Sequence, residues 1–257
     1  MHTAVPAKWI RAASAIALLT FGALTQSAAF AETFKAGSPP TSAPMTFLDI
    51  KTNTLQGVMP DVIREIGKRQ GFDVSFDAIP FSALIQSAAS GKIDIIVSAM
   101  TPTPKRAQVV DFADVVYAFG EGLAVADDDK TVYKSARDLK GETIGASTGT
   151  TYGDALKAMG IFKEVKYYDT PADLLHDLQD GRIKGAFTDY PLLKALQARG
   201  GMRGAHVDDA YVPVAVTGVT IAVRKGNDAL LHKIDAGIAQ MKADGSLAKI
   251  LAKWGLH

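Results

Sequence analysis

The stretch Ser98-Ala99-Met100-Thr101-Pro102-Thr103-Pro104-Lys105-Arg106 gathers groups that can hold a small anion. Hydroxyls stand at positions 98, 101 and 103, and two prolines stiffen the backbone. A helix can begin beside an arginine whose planar fork suits a carboxylate. The competing reading is a solvated Arg106, with Thr101 and Thr103 as turn residues. A second cluster, Ser147-Thr148-Gly149-Thr150-Thr151, also precedes an expected helix. It lacks the lysine and spacing of a Walker phosphate loop, which excludes that chemistry, yet its amides and hydroxyls suit a carboxylate. Asp189 ends an expected strand. Ionised, it only accepts hydrogen bonds and can take an ammonium group; its place before Tyr190-Pro191 equally fits a helix N-cap. The five histidines, His2, His176, His206, His232 and His257, are scattered, and cysteine is absent. Neither a metal site nor a nucleophile-base pair has the spacing it needs, so no cofactor, metal or catalytic residue is expected.

Two α/β units position these groups. In the first, Val62, Ile63 and Ile66 mark a helix that Gly71 can end, and Phe72, Val74 and Phe76 alternate as a half-buried strand. A helix near Phe81 to Ser90 turns Leu84, Ile85 and Ala88 to one side and stops at Gly91. Ile93, Ile95, Ile96 and Val97 then read as a strand covered on both faces, as in a parallel sheet. The second unit runs from a strand at Thr143 to Ala146 through a helix to about Met159 and a strand at Val165 to Tyr168. A helix opened by Thr170-Pro171 carries Leu174, Leu175 and Leu178, and a strand follows from Ile183 to Phe187. Gly91-Lys92-Ile93 and Gly181-Arg182-Ile183 occupy matching places, each a glycine, a base and an isoleucine leading into an apolar strand that ends in a hydroxyl. Sheets of similar topology would bring strand ends face to face, and ligands of open α/β sheets bind outside those ends. A strand at Val219 to Val223 and a helix capped by Asn227, with Leu230, Ile234, Ile238 and Met241 on one face, complete the set. A last helix, capped by Ser246, carries Leu247, Ile250, Leu251 and Trp254.

The first 31 residues read as a cleavable leader: Lys8 and Arg11, an apolar run from Ala12 to Ala23, and a small-residue site at Ala29-Phe30-Ala31. The run is shorter than the ~20 residues a spanning helix needs. A mature chain beginning at Glu32 has 226 of the 257 residues, and losing Lys8 and Arg11 from 28 basic residues leaves 26 against 27 acidic. That balance excludes the basic footprint of nucleic-acid binding and of membrane-surface attachment. Without cysteine an exported chain folds without disulfides and has no lipid-bearing Cys at the cleavage site, so packing must carry its stability.

Gly57 to Arg106, with Phe81-Ser82-Ala83-Leu84-Ile85, Ser90-Gly91-Lys92-Ile93-Asp94 and Thr101-Pro102-Thr103-Pro104-Lys105-Arg106, resembles the polar amino-acid family of ABC-transporter periplasmic solute-binding proteins. Asp111-Phe112-Ala113-Asp114, Tyr117, Asp138-Leu139-Lys140-Gly141, Gly149-Thr150-Thr151, Asp189 and Lys253-Trp254-Gly255 extend the resemblance over essentially the whole mature chain. It implies the type II fold: an α/β two-lobe clamp with two hinge crossings and a ligand cleft between the lobes. Lobe 1 would be 32–121 plus 217–257 and lobe 2 would be 122–216, with hinges near Gly122 and Gly218. It implies that Arg106, Thr101 and the amides around Thr150 and Thr151 hold an α-carboxylate. Asp189, Thr101 and the Ala99 carbonyl would take the α-ammonium, and Phe81 would pack on the ligand side chain. The family's first strand usually ends in an acidic residue with an aromatic three positions on; this chain has Pro39 and Ser42 there. Burying a cationic side chain needs acceptors that Pro39 does not supply, so an uncharged side chain or a compact zwitterion is expected, with Phe81 and either Tyr117 or Phe47 as its wall; the alternative is that Asp114, Glu121 or Asp154 reaches the cleft from another direction.

The function implied is capture of a small amino acid or related zwitterion in the periplasm by hinge closure. A monomer would deliver it to an ABC permease in the inner membrane. The rival in another class is a lyase on the same fold, resembling cyclohexadienyl dehydratase, which needs an acid or base beside the scissile group. A soluble sensor that hands its ligand state to a receptor is a further alternative.

Overall fold

The computed structural model describes residues 1–2 and 31–256; the expected leader falls almost wholly outside the described residues. The elements follow one another as β1 (Glu32–Ser38), β2 (Thr41–Ser42), β3 (Thr46–Asp49), β4 (Thr54–Gln56), α1 (Val58–Gln70), β5 (Phe72–Ala78), α2 (Leu84–Ala89), β6 (Ile95–Met100), α3 (Pro104–Ala107), β7 (Val110–Phe112), β8 (Tyr117–Phe119) and β9 (Glu121–Ala126). They continue with β10 (Thr143–Ser147), α4 (Thr151–Ala158), β11 (Glu164–Tyr168), α5 (Pro171–Gln179), β12 (Gly185–Asp189), α6 (Tyr190–Ala198), β13 (Ala205–Val207), β14 (Thr217–Arg224), α7 (Asp228–Ala243) and α8 (Ser246–Lys253).

Two sheets organise the molecule. The first has the order β5-β1-β6-β14-β7, with β8 also pairing to β14; the second has the order β11-β10-β12-β9-β13. In each, the strands joined through helices run parallel, and a strand next to a crossing joins antiparallel: β14 beside β6 in the first, β9 beside β12 in the second. The chain leaves the first sheet after β8 and re-enters it at β14, so it crosses twice. Gly122 and Gly218 lie just inside β9 and β14, beside those crossings. At the first crossing a Cβ on Gly120 would stand 2.5 Å from Pro213 of the second, so the two segments pass too closely for any other residue there.

Hydrophobic periodicity explains the layers. Val62, Ile63 and Ile66 of α1 are fully buried against Ile95, Val97, Ile221 and Val223 of the first sheet, together with Ile234, Ile238 and Met241 of α7. Gly71 ends α1 in the left-handed conformation, φ +74°. Leu174, Leu175 and Leu178 of α5 pack on Ile183, Ala186 and Leu193. Each such side chain contributes ~1.5–3 kcal/mol, which lets packing stand in for disulfides.

The two matched segments share backbone wiring. Gly91 and Gly181 both have φ near +70°, at +75° and +68°. Lys92 N–H donates to Ser87 O and Arg182 N–H to Asp177 O; Asp94 N–H donates to Lys35 O and Lys184 N–H to Thr143 O. One expectation needs correcting: Ser246 is the first residue of α8 rather than its cap. Gly245 holds the cap position at φ +75°, and the Asp244 carboxylate accepts the Ser246 N–H at 2.9 Å. A glycine tolerates the left-handed conformation that this tight α7–α8 link imposes, whereas Ser246 would not.

Candidate functional site

β6 ends in the Thr-Pro-Thr-Pro segment, and the Thr103 side chain caps the short α3 by accepting the Arg106 N–H at 3.1 Å. The cap fixes where the arginine leaves the backbone. Its Nη1 donates to the Thr101 carbonyl at 2.5 Å and its Nη2 to the Gly149 carbonyl of the other unit at 2.7 Å. Two of the five guanidinium N–H donors are used this way. The Phe81 ring lies under it at 5.7 Å. Burial lowers the Arg106 pKa, opposed by the charge of Asp154, but an arginine keeps its proton.

Opposite, β10 runs into the Ser147–Thr151 turn, and Thr150 caps α4. Its hydroxyl accepts the Gly153 N–H at 3.2 Å and donates to the Ser147 carbonyl at 2.8 Å. The hydroxyl is therefore spent on the turn, and what Thr150 and Thr151 offer a ligand is the first-turn amides of α4, which a helix leaves without internal acceptors. Asp189, the last residue of β12, occupies the N-cap position of α6 without making a cap hydrogen bond. The N-cap alternative thus holds for its backbone and fails for its side chain, which faces the same cavity. Burial raises its carboxyl pKa to about 6, against the lowering effect of the Tyr152 hydroxyl, and the charge of Glu121 raises it further.

Arg106, Thr101, Ala99, Thr150, Thr151, Asp189, Phe81 and Ser42 all line one cavity of about 210 Å³ between the two sheets. The Thr101 hydroxyl shares a hydrogen bond of 2.9 Å with Thr217 at the start of β14, which ties it to a crossing. A second bond spans the cleft, from the Ser82 hydroxyl to Asp169 Oδ1 at 3.2 Å. Pro39 lies in the wall, as its place at the end of the first strand suggested.

Other expectations shift. The aromatic residues that line the cavity with Phe81 are Phe119, Tyr152 and Tyr168; Phe47 and Tyr117 do not line it. Phe47 packs edge-on against Trp254 at 5.6 Å, and Tyr117 packs on the core of the first sheet. Phe119, Leu192 and Val214 could not be assigned to the site from local sequence, because the crossings beside Phe119 and Val214 and the start of α6 that carries Leu192 meet at the cleft only once both sheets exist. Of Asp114, Glu121 and Asp154, only Glu121 lines the cavity, joined there by Asp169; the Asp114 backbone N–H donates to Asp235 Oδ1 on α7.

Residues 34–257 match the bacterial extracellular solute-binding proteins, family 3. The chain belongs to that family. The solute-binding protein is 31% identical over 243 residues to the ABC transporter arginine-binding protein 1 of Escherichia coli strain K12, covering 94% of this chain and 96% of that one. Among solved structures it is similar to an ancestral arginine-binding protein bound to arginine, with a TM-score of 0.78 and 31% identity over 88% of this chain and 99% of that one. It is also similar to AncCDT-1, described as an ancestral amino acid-binding protein and a precursor of cyclohexadienyl dehydratase. There the TM-score is 0.76, with 28% identity over 86% of this chain and 95% of that one. These likenesses establish the type II periplasmic-binding-protein fold, a two-lobe clamp with the cleft between its lobes.

Proposed function

We propose that this protein captures an amino acid or a closely related zwitterion in the periplasm and delivers it to an ABC permease. Lobes 32–121 plus 217–257 and 122–216 close on the ligand as the two crossings flex. The observation that carries the reading is one cavity that faces a fixed cation from the first sheet's side with helix-start amides and an uncapped carboxylate from the second's. Arg106, Thr101 and the amides of Thr150 and Thr151 meet the α-carboxylate; Asp189, Thr101 and the Ala99 carbonyl meet the α-ammonium. The leader and the periplasmic relatives support export, and the protein acts as a monomer.

The relatives include arginine binders, but here much of the wall is apolar, and the further carboxylates that line it, Glu121 and Asp169, already accept from Tyr211, Val214 and Ser82. Pro39, Pro40, Phe81, Phe119, Leu192 and Val214 line it. The reading is therefore an uncharged side chain, with lysine, arginine and histidine bound at least ~100-fold more weakly, about 2.7 kcal/mol. A thermal-shift screen of the common amino acids, alongside mass spectrometry of ligand extracted from the purified protein, tests it. A basic amino acid as the strongest stabiliser would overturn the side-chain assignment.

One observation favours a second reading, the lyase: an Asp189 carboxyl near 6 is in the range of a general acid or base. Turnover of an extracted or added cyclohexadienyl acid would decide for it.

A further inference from the structure

Strands β9 and β12 run antiparallel with Glu121 directly opposite Asp189. Opposed residues project from the same face of a sheet about a strand spacing apart, and like charges placed there repel. Both residues line the cavity. Glu121 is only 2% exposed. Its Oε1 accepts the Tyr211 hydroxyl at 2.7 Å and the Val214 N–H at 2.5 Å, which pins the side chain between the two crossings. Its Oε2 is buried with no hydrogen-bond partner among the described residues.

A structural tie between crossings needs only one acceptor and no charge, so an amide would serve it as well. The charge has a use if a cation completes the pair. We propose that Glu121 and Asp189 form a paired acceptor for one cationic nitrogen of the ligand, with Asp189 in contact and Glu121 behind it as a positioning residue. The inference rests on the zwitterion reading above and adds a rule of selection. With one arginine and three carboxylates, Glu121, Asp169 and Asp189, lining the cavity, a ligand bearing an ammonium centre relieves the repulsion, whereas a ligand with a second carboxylate or an acylated nitrogen does not. The other titratable and charged groups that line the cavity with the pair are Arg106, Tyr152, Tyr168 and Asp169, and a neighbouring pocket that Glu121 also lines holds Tyr117, Tyr190, Lys194, Asp209 and Tyr211. The upward displacement of the Asp189 carboxyl, caused mainly by burial, has Glu121 as its second raising influence.

Glu121→Gln is the test, because the amide oxygen still accepts from Tyr211 and Val214 while the charge is gone. Carboxyl carbon NMR of the ligand-free protein should show Asp189 titrating at lower pH in Glu121→Gln than in the wild type. Tyr211→Phe, which loosens the tie and spares the charge, should leave that titration in place. Calorimetry with L-glutamine, L-glutamate and N-acetyl-L-glutamine should show L-glutamine preferred in the wild type and the preference reduced about tenfold in Glu121→Gln, equivalent to ~1.4 kcal/mol. An Asp189 titration that does not move overturns the pairing whether or not any of the three binds. Failure of all three to bind, with the titration moved as expected, counts against the amino-acid reading and leaves the pair standing.

Discussion

Arg106 gives up hydration to sit half-buried against Phe81, and carbonyl groups replace only part of what it loses. In the proposed function a ligand carboxylate supplies the rest. Truncating one member of a buried, hydrogen-bonded charge pair costs ~2–5 kcal/mol, so Arg106→Ala should weaken binding by roughly 30-fold to several thousandfold while the protein still folds. Near-unchanged affinity in calorimetry on the folded variant would remove Arg106 from the carboxylate site. Asp189 works in the opposite sense with pH. Its folded-state value of about 6 is above that of an unfolded chain, so its contribution to ligand-free stability is fully present below about pH 4 and is lost as pH rises through 6. Binding an ammonium needs the ionised form, so affinity should fall roughly tenfold per pH unit below 6. Asp189→Asn separates the two: it should raise the ligand-free melting temperature at pH 7 and abolish the ligand-induced rise. A variant that keeps wild-type affinity would show that Asp189 does not hold the nitrogen. The residue types of this pair were legible in the sequence. That the Asp189 side chain declines the cap was not, because a local pattern cannot say whether a carboxylate turns back to its own helix or outward.

At the scale of elements, the periodicity of α1, α5 and α7 and the apolar run of β6 were readable directly, since each is set by local spacing. The α7–α8 junction was not, because a glycine and a serine in succession both resemble helix starts until the left-handed turn at Gly245 is seen. Glu121 was visible only as an acidic residue that could approach the cleft. Its opposition to Asp189 arises from strand register across more than sixty intervening residues, which no local pattern records. The cap of α4 gives a test of how the site depends on its elements. Because the Thr150 hydroxyl is committed to Gly153 and Ser147, Thr150→Ala should cost about 1 kcal/mol of stability. Affinity should drop with it as the first-turn amides lose their position. Thr150→Ser keeps both bonds and should restore both properties in denaturation and calorimetry; a serine variant as impaired as the alanine would point instead to a role for the methyl group.

At the scale of the whole molecule, the Ser82–Asp169 and Arg106–Gly149 hydrogen bonds both span the cleft. Exposed polar bonds of this kind are weak, so a ligand must supply most of the closing free energy. Saturating ligand should therefore reduce the radius of gyration in small-angle scattering. At 100 times Kd it should add about 2.7 kcal/mol of stability. Zinc and nucleotides should do neither. Scattering that does not change with the ligand bound would argue against a closing clamp.

The strand order sets a timetable for the chain as it emerges N-terminus first. β14 lies between β6 and β7, so the first sheet cannot be completed until residue 224 has been delivered, although its earliest strand begins at residue 32. The second sheet uses only residues 121–207 and has all its strands sooner. The later-starting half can thus finish folding while the earlier one waits with the β6 edge unpaired. During that interval β6, apolar from Ile95 to Val97, presents an unpaired edge on which wrong partners can pair.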